Sequence, residues 1–406
     1  MYWTNLLHIY QPIWQKPAML QRIIRESYQP IIDWLIKHPQ INITLNIQGV
    51  LVDLLAKYDK PLLNKIILLV NRQQIELTGS AQYHAFLPLL SKTEIVRQIR
   101  LNEQTLSKYF KQKFLRRGFF LPEMAYHPKI VSLLEQIGYQ WIILDEIAFS
   151  GKIGQVNFNQ AYQIKTTKIK VVFRQQTVSN FWHSGAIKTI TDFWQQLTKD
   201  NRIKNFLITA CDGENLGHHQ PAMLPLWQQA ISSQRVTTLT ISQLLAKYKK
   251  TVFVEPVKCS WASREIELQD GIPYLLWQDP NNPIHQLQWQ LTNLVIKEIT
   301  KQQKDINYLI ARRKLDRALF SCQYWWASAS PWWEPKFIRQ GAKELIIAYQ
   351  SLNQPANKIS KLLINIKNKM YQQIEQWEKV GVPQKIKQAY LHGEKTNHYF
   401  SGKIIN

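Results

Sequence analysis

Two carboxylates stand where chemistry could gather. Glu123 follows an apolar run and Pro122, and Asp212 closes another apolar run just before Gly213. Delivered by separate segments to one pocket, such a pair is what cleavage of a glycosidic bond needs. One protonates the departing oxygen while the other, if about 5 Å away, attacks the anomeric carbon. A hydroxyl-rich substrate also requires donors and acceptors around it, and His8, Gln11, His84, Arg174, Glu214, Asn215 and His218 could supply them. Taken singly, Asp145 or Glu214 reads equally well as a helix cap, and for Asp145 and Glu146 capping is the favoured reading. Flat indole faces suit sugar rings, and Trp182, Trp261, Trp325, Trp326, Trp332 and Trp333 are candidates. A single Trp is more often core than platform. The runs Tyr324-Trp325-Trp326 and Pro331-Trp332-Trp333 hold too many large rings to face one core stripe, so some are expected to line a cleft.

What must position these residues is a repeating alternation of short β-branched runs and longer amphipathic stretches over residues 1–250, the pattern of a parallel sheet with crossover helices. Strands are expected at Leu6–Tyr10, Ile41–Ile47, Ile75–Thr78, Gly118–Leu121, Trp141–Asp145, Ile169–Phe173 and Asn205–Ala210. Helices include Ala18–Lys37, Lys92–Lys113, Pro128–Ile137, Ile187–Leu197 and Ala222–Ser232. Such an α/β chain closes into a barrel or opens into a doubly wound sheet, and in both the chemistry collects at the strands' C-terminal ends. Residues 251–282 read as an irregular connecting segment, residues 283–390 as a helical domain contributing to the cleft, and residues 391–406 as a polar tail.

Composition narrows the function further. Charged residues are 19% and aromatics 12% of the 406, which excludes wholesale disorder and coiled coil. Lys and Arg number 51 against 28 Asp and Glu, a net charge of +23, but the basic residues scatter along helical faces and carry no nucleic-acid motif. No specific nucleic-acid partner is expected. Cys211, Cys259 and Cys322 lack metal-ligand spacing, which fits a reducing compartment. With no basic leader and no apolar run of about 18 residues, a cytoplasmic protein without a membrane partner is expected.

Five segments in order resemble the motifs of glycoside hydrolase family 57. They are LHIYQP from Leu7 to Pro12, the stretch from Gly79 through His84 to Pro88, LPEMAYHP from Leu121 to Pro128, ACDGENLGHH from Ala210 to His219, and SCQYWWASASPWW from Ser321 to Trp333. The resemblance implies an incomplete (β/α)7 TIM-like barrel followed by a mainly α-helical C-terminal region, with no metal or cofactor. It implies retaining chemistry on α-glucans, with Glu123 as nucleophile and Asp212 as general acid and base, by hydrolysis or by transfer. His8, Gln11, His84, Arg174, Glu214, His218, Trp325 and Trp326 are then the expected substrate-binding residues. One departure is that many relatives place an acid in the fifth motif where this chain reads Ser321-Cys322-Gln323-Tyr324.

For this mechanism Asp212 must be held protonated by burial and by the negative charge of Glu123, while Arg174 and His8 are expected to keep Glu123 ionised. Two other readings are a metal-dependent carbohydrate deacetylase, with Asp212, His218 and His219 as ligands, and a glycan-binding or regulatory protein that has lost turnover.

Overall fold

The computed structural model describes residues 1–396. The chain divides into two compact units, Met1–Glu265 and Ile266–Asn406.

The first unit is built on parallel strands whose hydrophobic patterns are clear in the sequence. They are β1 (Tyr2–Ile9), β2 (Ile43–Ile47), β3 (Ile75–Gly79), β4 (Gly118–Phe119) and β5 (Trp141–Asp145), followed by β6 (Ala161–Ile164), β7 (Lys170–Arg174), β8 (Phe206–Asp212), β9 (Thr237–Thr238) and β10 (Thr251–Val254). The sheet order is β10-β6-β7-β5-β4-β3-β2-β1-β8, with β9 beside β1. All ladders from β7 through β5, β4, β3, β2 and β1 to β8 are parallel, which gives the expected seven-stranded arc. Its two ends approach where the Gln175 amide donates to the Ile208 carbonyl at 2.8 Å, but among the described residues no ladder joins β7 to β8. The barrel is therefore incomplete.

Four elements depart from the sequence reading, the shortest being β9, which pairs in parallel with the start of β1. β6 is an added strand, antiparallel to β7, and β10 pairs with β6 inside the stretch expected to be irregular. The first unit accordingly runs beyond residue 250, to Glu265. The helix expected over Ala18–Lys37 forms as Pro17–Ile23 and Gln29–Lys37 joined by a π-helical turn at Ile24–Tyr28. Such a turn inserts an extra residue per loop of the ladder and swings the following side chains to a new face.

Strand alternation decides what lines the barrel. Side chains along a strand point alternately to opposite sheet faces. Leu7 and Ile9 of β1, Ile43, Leu45 and Ile47 of β2, Ile75 and Leu77 of β3, and Leu207 and Cys211 of β8 pack with helix residues such as Leu20, Leu51 and Trp227. The opposite face holds Leu6, Trp141, Ile143, Val172, Ile208 and Ala210 in a second, inner cluster. By the same period of two, His8, Asn46, Thr78, Asp145, Arg174 and Asp212 fall on that inner face, near the strands' C-terminal ends. Register brings His8 opposite both Asn46 and Asp212, and Asp145 opposite Arg174. The thin strand β4 needs glycine at position 118, because a Cβ there would stand 2.0 Å from the Trp141 ring.

The second unit is helical, as expected after Pro283. Its helices are Pro283–Lys301, Tyr308–Ala318, Cys322–Trp325, Pro335–Gln350, Asn357–Val380 and Val382–Leu391. Pro283–Lys301 packs against both Pro335–Gln350 and Asn357–Val380, burying Ile284, Leu291, Val295 and Ile299 with Leu363, Ile366 and Met370. Of the expected polar tail, residues 397–406 lie outside the described residues. Among the described residues no helix is long and apolar enough to cross a membrane.

Candidate active site

Glu123 sits in a sharp loop directly after β4. Its backbone is left-handed (φ 61°), as is that of Met124 (φ 46°), and His84 after β3 is a third such residue (φ 54°). Non-glycine residues in this region cost on the order of 1–3 kcal/mol each and persist where surrounding structure fixes them, a pattern concentrated at functional sites. The fixing contacts are visible. Trp261 Nε1 donates to Glu123 Oε2 at 3.0 Å, the Trp261 amide donates to the Glu123 carbonyl at 3.1 Å, and the Tyr126 amide donates to the Cys259 carbonyl at 2.8 Å. The segment around Cys259 and Trp261, which carries no helical or strand period, thus clamps the Glu123 loop.

His84 Nδ1 stands 3.6 Å from Glu123 Oε1. Burial, with His8 beside it, holds the His84 ring well below the usual imidazole range, so this is a contact with a neutral ring and not an ion pair. The aromatic rings here form a stack: Tyr10 on His84 at 4.3 Å, His84 on His8 at 5.1 Å, and His8 on Phe120 at 4.7 Å. Trp261 stands edge-on to His8 and Phe120.

Asp212, at the end of β8, is close enough to Glu123 for that charge to act on it. Burial first, then the charges of Glu214 and Glu123, push the Asp212 carboxyl well above the usual carboxylate range, with Arg174 opposing. Glu214 is deeply buried and its Oε1 is crowded with donors: the Tyr28 hydroxyl, Gln11 Nε2 at 3.0 Å and the Tyr10 amide at 3.4 Å. Burial raises its carboxyl too, against the lowering by these bonds. The π-helical turn explains the geometry, because it aims three successive residues at the loop after β8. Ser27 Oγ donates to the Gly213 carbonyl at 2.8 Å, Tyr28 reaches Glu214, and Glu26 Oε2 meets His218 Nδ1 at 2.6 Å. The loop turns at Gly217 (φ 109°), where a Cβ would lie 2.1 Å from the Glu26 carbonyl oxygen.

Arg174 is anchored, not free. Its Nε donates to Asp145 Oδ2 at 2.6 Å and its Nη1 to the Ala210 carbonyl at 2.8 Å, and its guanidinium lies 5.3 Å from the Trp261 ring centre. Asp145 does cap the following turn, through the Ile147 amide at 3.0 Å, and it is also the buried counterion of Arg174, a role the capping reading missed.

Two expectations are corrected by these contacts. His8 does not hold Glu123 ionised: its pKa falls to about 4 because it is buried, so near neutrality it carries no charge, and its Nδ1 is engaged by Asn46 at 2.6 Å. Asp212, His218 and His219 do not gather as a ligand set, since His218 turns to Glu26, and among the described residues no three His, Cys, Asp or Glu side chains group closely enough to hold one ion. Trp182 is fully buried against Trp3 and Phe193 and is core.

His8, Gln11, His84, Arg174 and Glu214 therefore lie in one connected set around Glu123 and Asp212, with His218 on its margin through Glu26. Trp325 and Trp326 belong to the second unit, where they contact each other at 4.9 Å and Trp332, itself 45% exposed, at 5.8 and 6.2 Å. Tyr28, Asn46 and the donor role of Trp261 were not legible in advance.

The sequence model of "Glycosyl hydrolase family 57" matches residues 4–257. The chain is 27% identical over 150 residues to an alpha-amylase of Dictyoglomus thermophilum, covering 36% of this chain and 21% of that protein. It is 20% identical over 254 residues to a 4-alpha-glucanotransferase of Thermococcus litoralis, covering 60% of this chain and 38% of that one. The matched stretch is thus about a fifth of the amylase's own length. Among solved structures, a GH57-type branching enzyme from Pyrococcus horikoshii superposes with a TM-score of 0.71 at 16% identity, over 92% of this chain and 94% of that chain. The 4-alpha-glucanotransferase from Thermococcus litoralis gives 0.67 at 15% identity, over 87% and 60%. With the family's sequence pattern running from β1 through β10 to residue 257, the chain belongs to glycosyl hydrolase family 57.

Proposed function

We propose that the protein is a retaining glycoside hydrolase or transglycosidase acting on α-1,4-linked glucans, with Glu123 as nucleophile and Asp212 as general acid and base. The observation that carries this reading is the contrast between the two carboxyls. Asp212 is driven toward its protonated form by burial and by two neighbouring carboxylates, while Glu123 is partly open and receives the Trp261 N–H. Family membership and relatives named as amylase and glucanotransferase support the substrate class.

In the first step a Glu123 oxygen bonds to the anomeric carbon, the glycosidic C–O bond breaks, and the Asp212 proton passes to the departing oxygen. In the second, Asp212, now ionised, takes the proton of an incoming hydroxyl whose oxygen bonds to the same carbon as the Glu123 ester bond breaks. Water as acceptor gives hydrolysis, and a glucan hydroxyl gives transfer. His8, Gln11, His84 and Arg174 surround the glycone. Glu214 binds substrate only through its remaining oxygen, since Oε1 is taken. Within the second unit, the rings of Trp325 and Trp326 offer a sugar platform of their own.

The test is the anomeric configuration of the first product from maltooligosaccharides, followed by proton NMR. Retention is expected, with turnover lost in Glu123→Gln by roughly a thousandfold or more. An inverted first product, or full activity in Glu123→Gln, would reject the assignment.

A further inference from the structure

Beneath the candidate site, buried polar side chains on the inner barrel face form a chain whose direction is fixed at one end. The Phe120 carbonyl can only accept, and Ser80 Oγ lies 2.8 Å from it, so the Ser80 hydroxyl hydrogen is committed there. Ser80 Oγ must then accept from its other side-chain partner, Gln48 Nε2 at 2.9 Å. That turns the Gln48 amide NH2, and not its carbonyl, toward Asn46 at 3.4 Å, so the Asn46 atom it meets is Oδ1. The far side of Asn46 agrees, because Nδ2 donates to Thr78 Oγ1 at 2.9 Å. Asn46 Oδ1 therefore accepts from His8 Nδ1 at 2.6 Å, and the ring hydrogen of His8 resides on Nδ1.

Nothing in this chain has room to rearrange. Asn46, Gln48, Thr78 and Ser80 are buried, and the His8 ring is held between Phe120 and His84, with Trp261, the donor to Glu123, at its edge. A neutral imidazole with its hydrogen on Nδ1 has its lone pair on Nε2, and among the described residues Nε2 takes no protein partner.

We propose that the Phe120 carbonyl, Ser80, Gln48 and Asn46 act as a positioning relay that locks His8 in its Nδ1–H form, so that Nε2 meets the substrate as an acceptor for a sugar hydroxyl. The proposal rests on the glycosidase reading for its substrate, and it narrows that substrate. A glycone offering an O–H at this place is accepted. One offering a carboxylate there, as a uronic acid does, brings an acceptor to an acceptor and is refused. Asn46, Gln48 and Ser80 are positioning residues, acting through His8.

The experiment is long-range nitrogen–proton NMR on the full chain with labelled histidine at neutral pH, the His8 signals being assigned by their loss in His8→Gln. The expected spectrum has Nδ1 protonated and Nε2 bare. Asn46→Leu and the milder Gln48→Met should each turn this single form into a mixture and lower kcat/KM on maltooligosaccharides by about tenfold or more. Gln48→Met decides should Asn46→Leu fail to fold. A wild-type His8 protonated on Nε2, or a tautomer unmoved in Gln48→Met, would overturn the relay. An unmoved kcat/KM alongside a shifted tautomer would overturn the presentation to substrate. The spectra need no substrate, so failure of the glycosidase reading shows separately, as silence of the unsubstituted protein on the oligosaccharides.

Discussion

The indole Nε1 of Trp261 donates to Glu123 Oε2 at 3.0 Å, across a separation of 138 residues in the chain. This hydrogen bond orients the candidate nucleophile and stabilises its ionised form, and the same ring supports the Arg174 guanidinium and borders His8. Trp261→Phe keeps a ring in place and removes only the donor. A hydrogen bond to a charged group contributes about 1.5–3 kcal/mol, so kcat is expected to fall by roughly ten- to a hundredfold with little change in Tm. Steady-state kinetics with thermal unfolding checks both halves of this expectation. Unchanged kcat would show that the contact is only packing.

Glu214 is expected to set the working pH of Asp212. The general acid must be protonated, so activity is lost as pH rises through the Asp212 pKa. After burial, the charge of Glu214 is the largest contribution holding that pKa up. Glu214→Gln removes the charge and lowers the pKa, so the alkaline limb of kcat/KM should move to lower pH. A limb that stays in place, or moves upward, would contradict the coupling. The pH profile of the variant against that of the parent provides the measurement.

Asp145 and Arg174 form a buried ion pair, with side chains 0% and 6% exposed. Asp145→Asn leaves the guanidinium buried without its counter-charge. Breaking such a pair from one side costs about 3–5 kcal/mol, which urea unfolding should register as a lower midpoint at unchanged slope. A loss below about 1 kcal/mol would mean that Arg174 finds compensation elsewhere.

Asp212 also links function to stability. Its folded-state pKa lies above its unfolded value, so the folded protein takes up a proton and loses stability as pH rises from the unfolded pKa through the folded one. A neutral amide avoids that loss. Asp212→Asn is therefore expected to abolish turnover while raising Tm by a few degrees near neutrality, with no gain at strongly acidic pH. Differential scanning fluorimetry across pH checks the sign.

The strands that carry the site were legible because their β-branched runs are buried on both faces and end in polar residues. β1 carries His8 as its last residue but one, and β8 closes on Asp212. β6 escaped because no amphipathic crossover stretch separates it from β7, its antiparallel partner, and β10 because the Glu255 and Pro256 directly after it mark a connecting segment. The partners of the site were legible only where they shared a strand end with it. Tyr28 contacts Glu214 from a helix 186 residues earlier, at a π-helical turn with no sequence period of its own, and Trp261 reaches Glu123 from an unpatterned segment. The charge expected on His8 was misread for a related reason. Its neutrality follows from burial, a property of the packed barrel that local sequence does not state.

Capture of the covalent intermediate on Glu123 tests the central claim most directly. A fluorinated α-glucosyl donor, which slows release of the ester more than its formation, should leave the intact protein one glycosyl unit heavier. Peptide mass spectrometry should place that unit on Glu123, with no label in Glu123→Gln. A protein that turns over α-glucan yet never carries the label, or carries it on another carboxylate, would contradict the account.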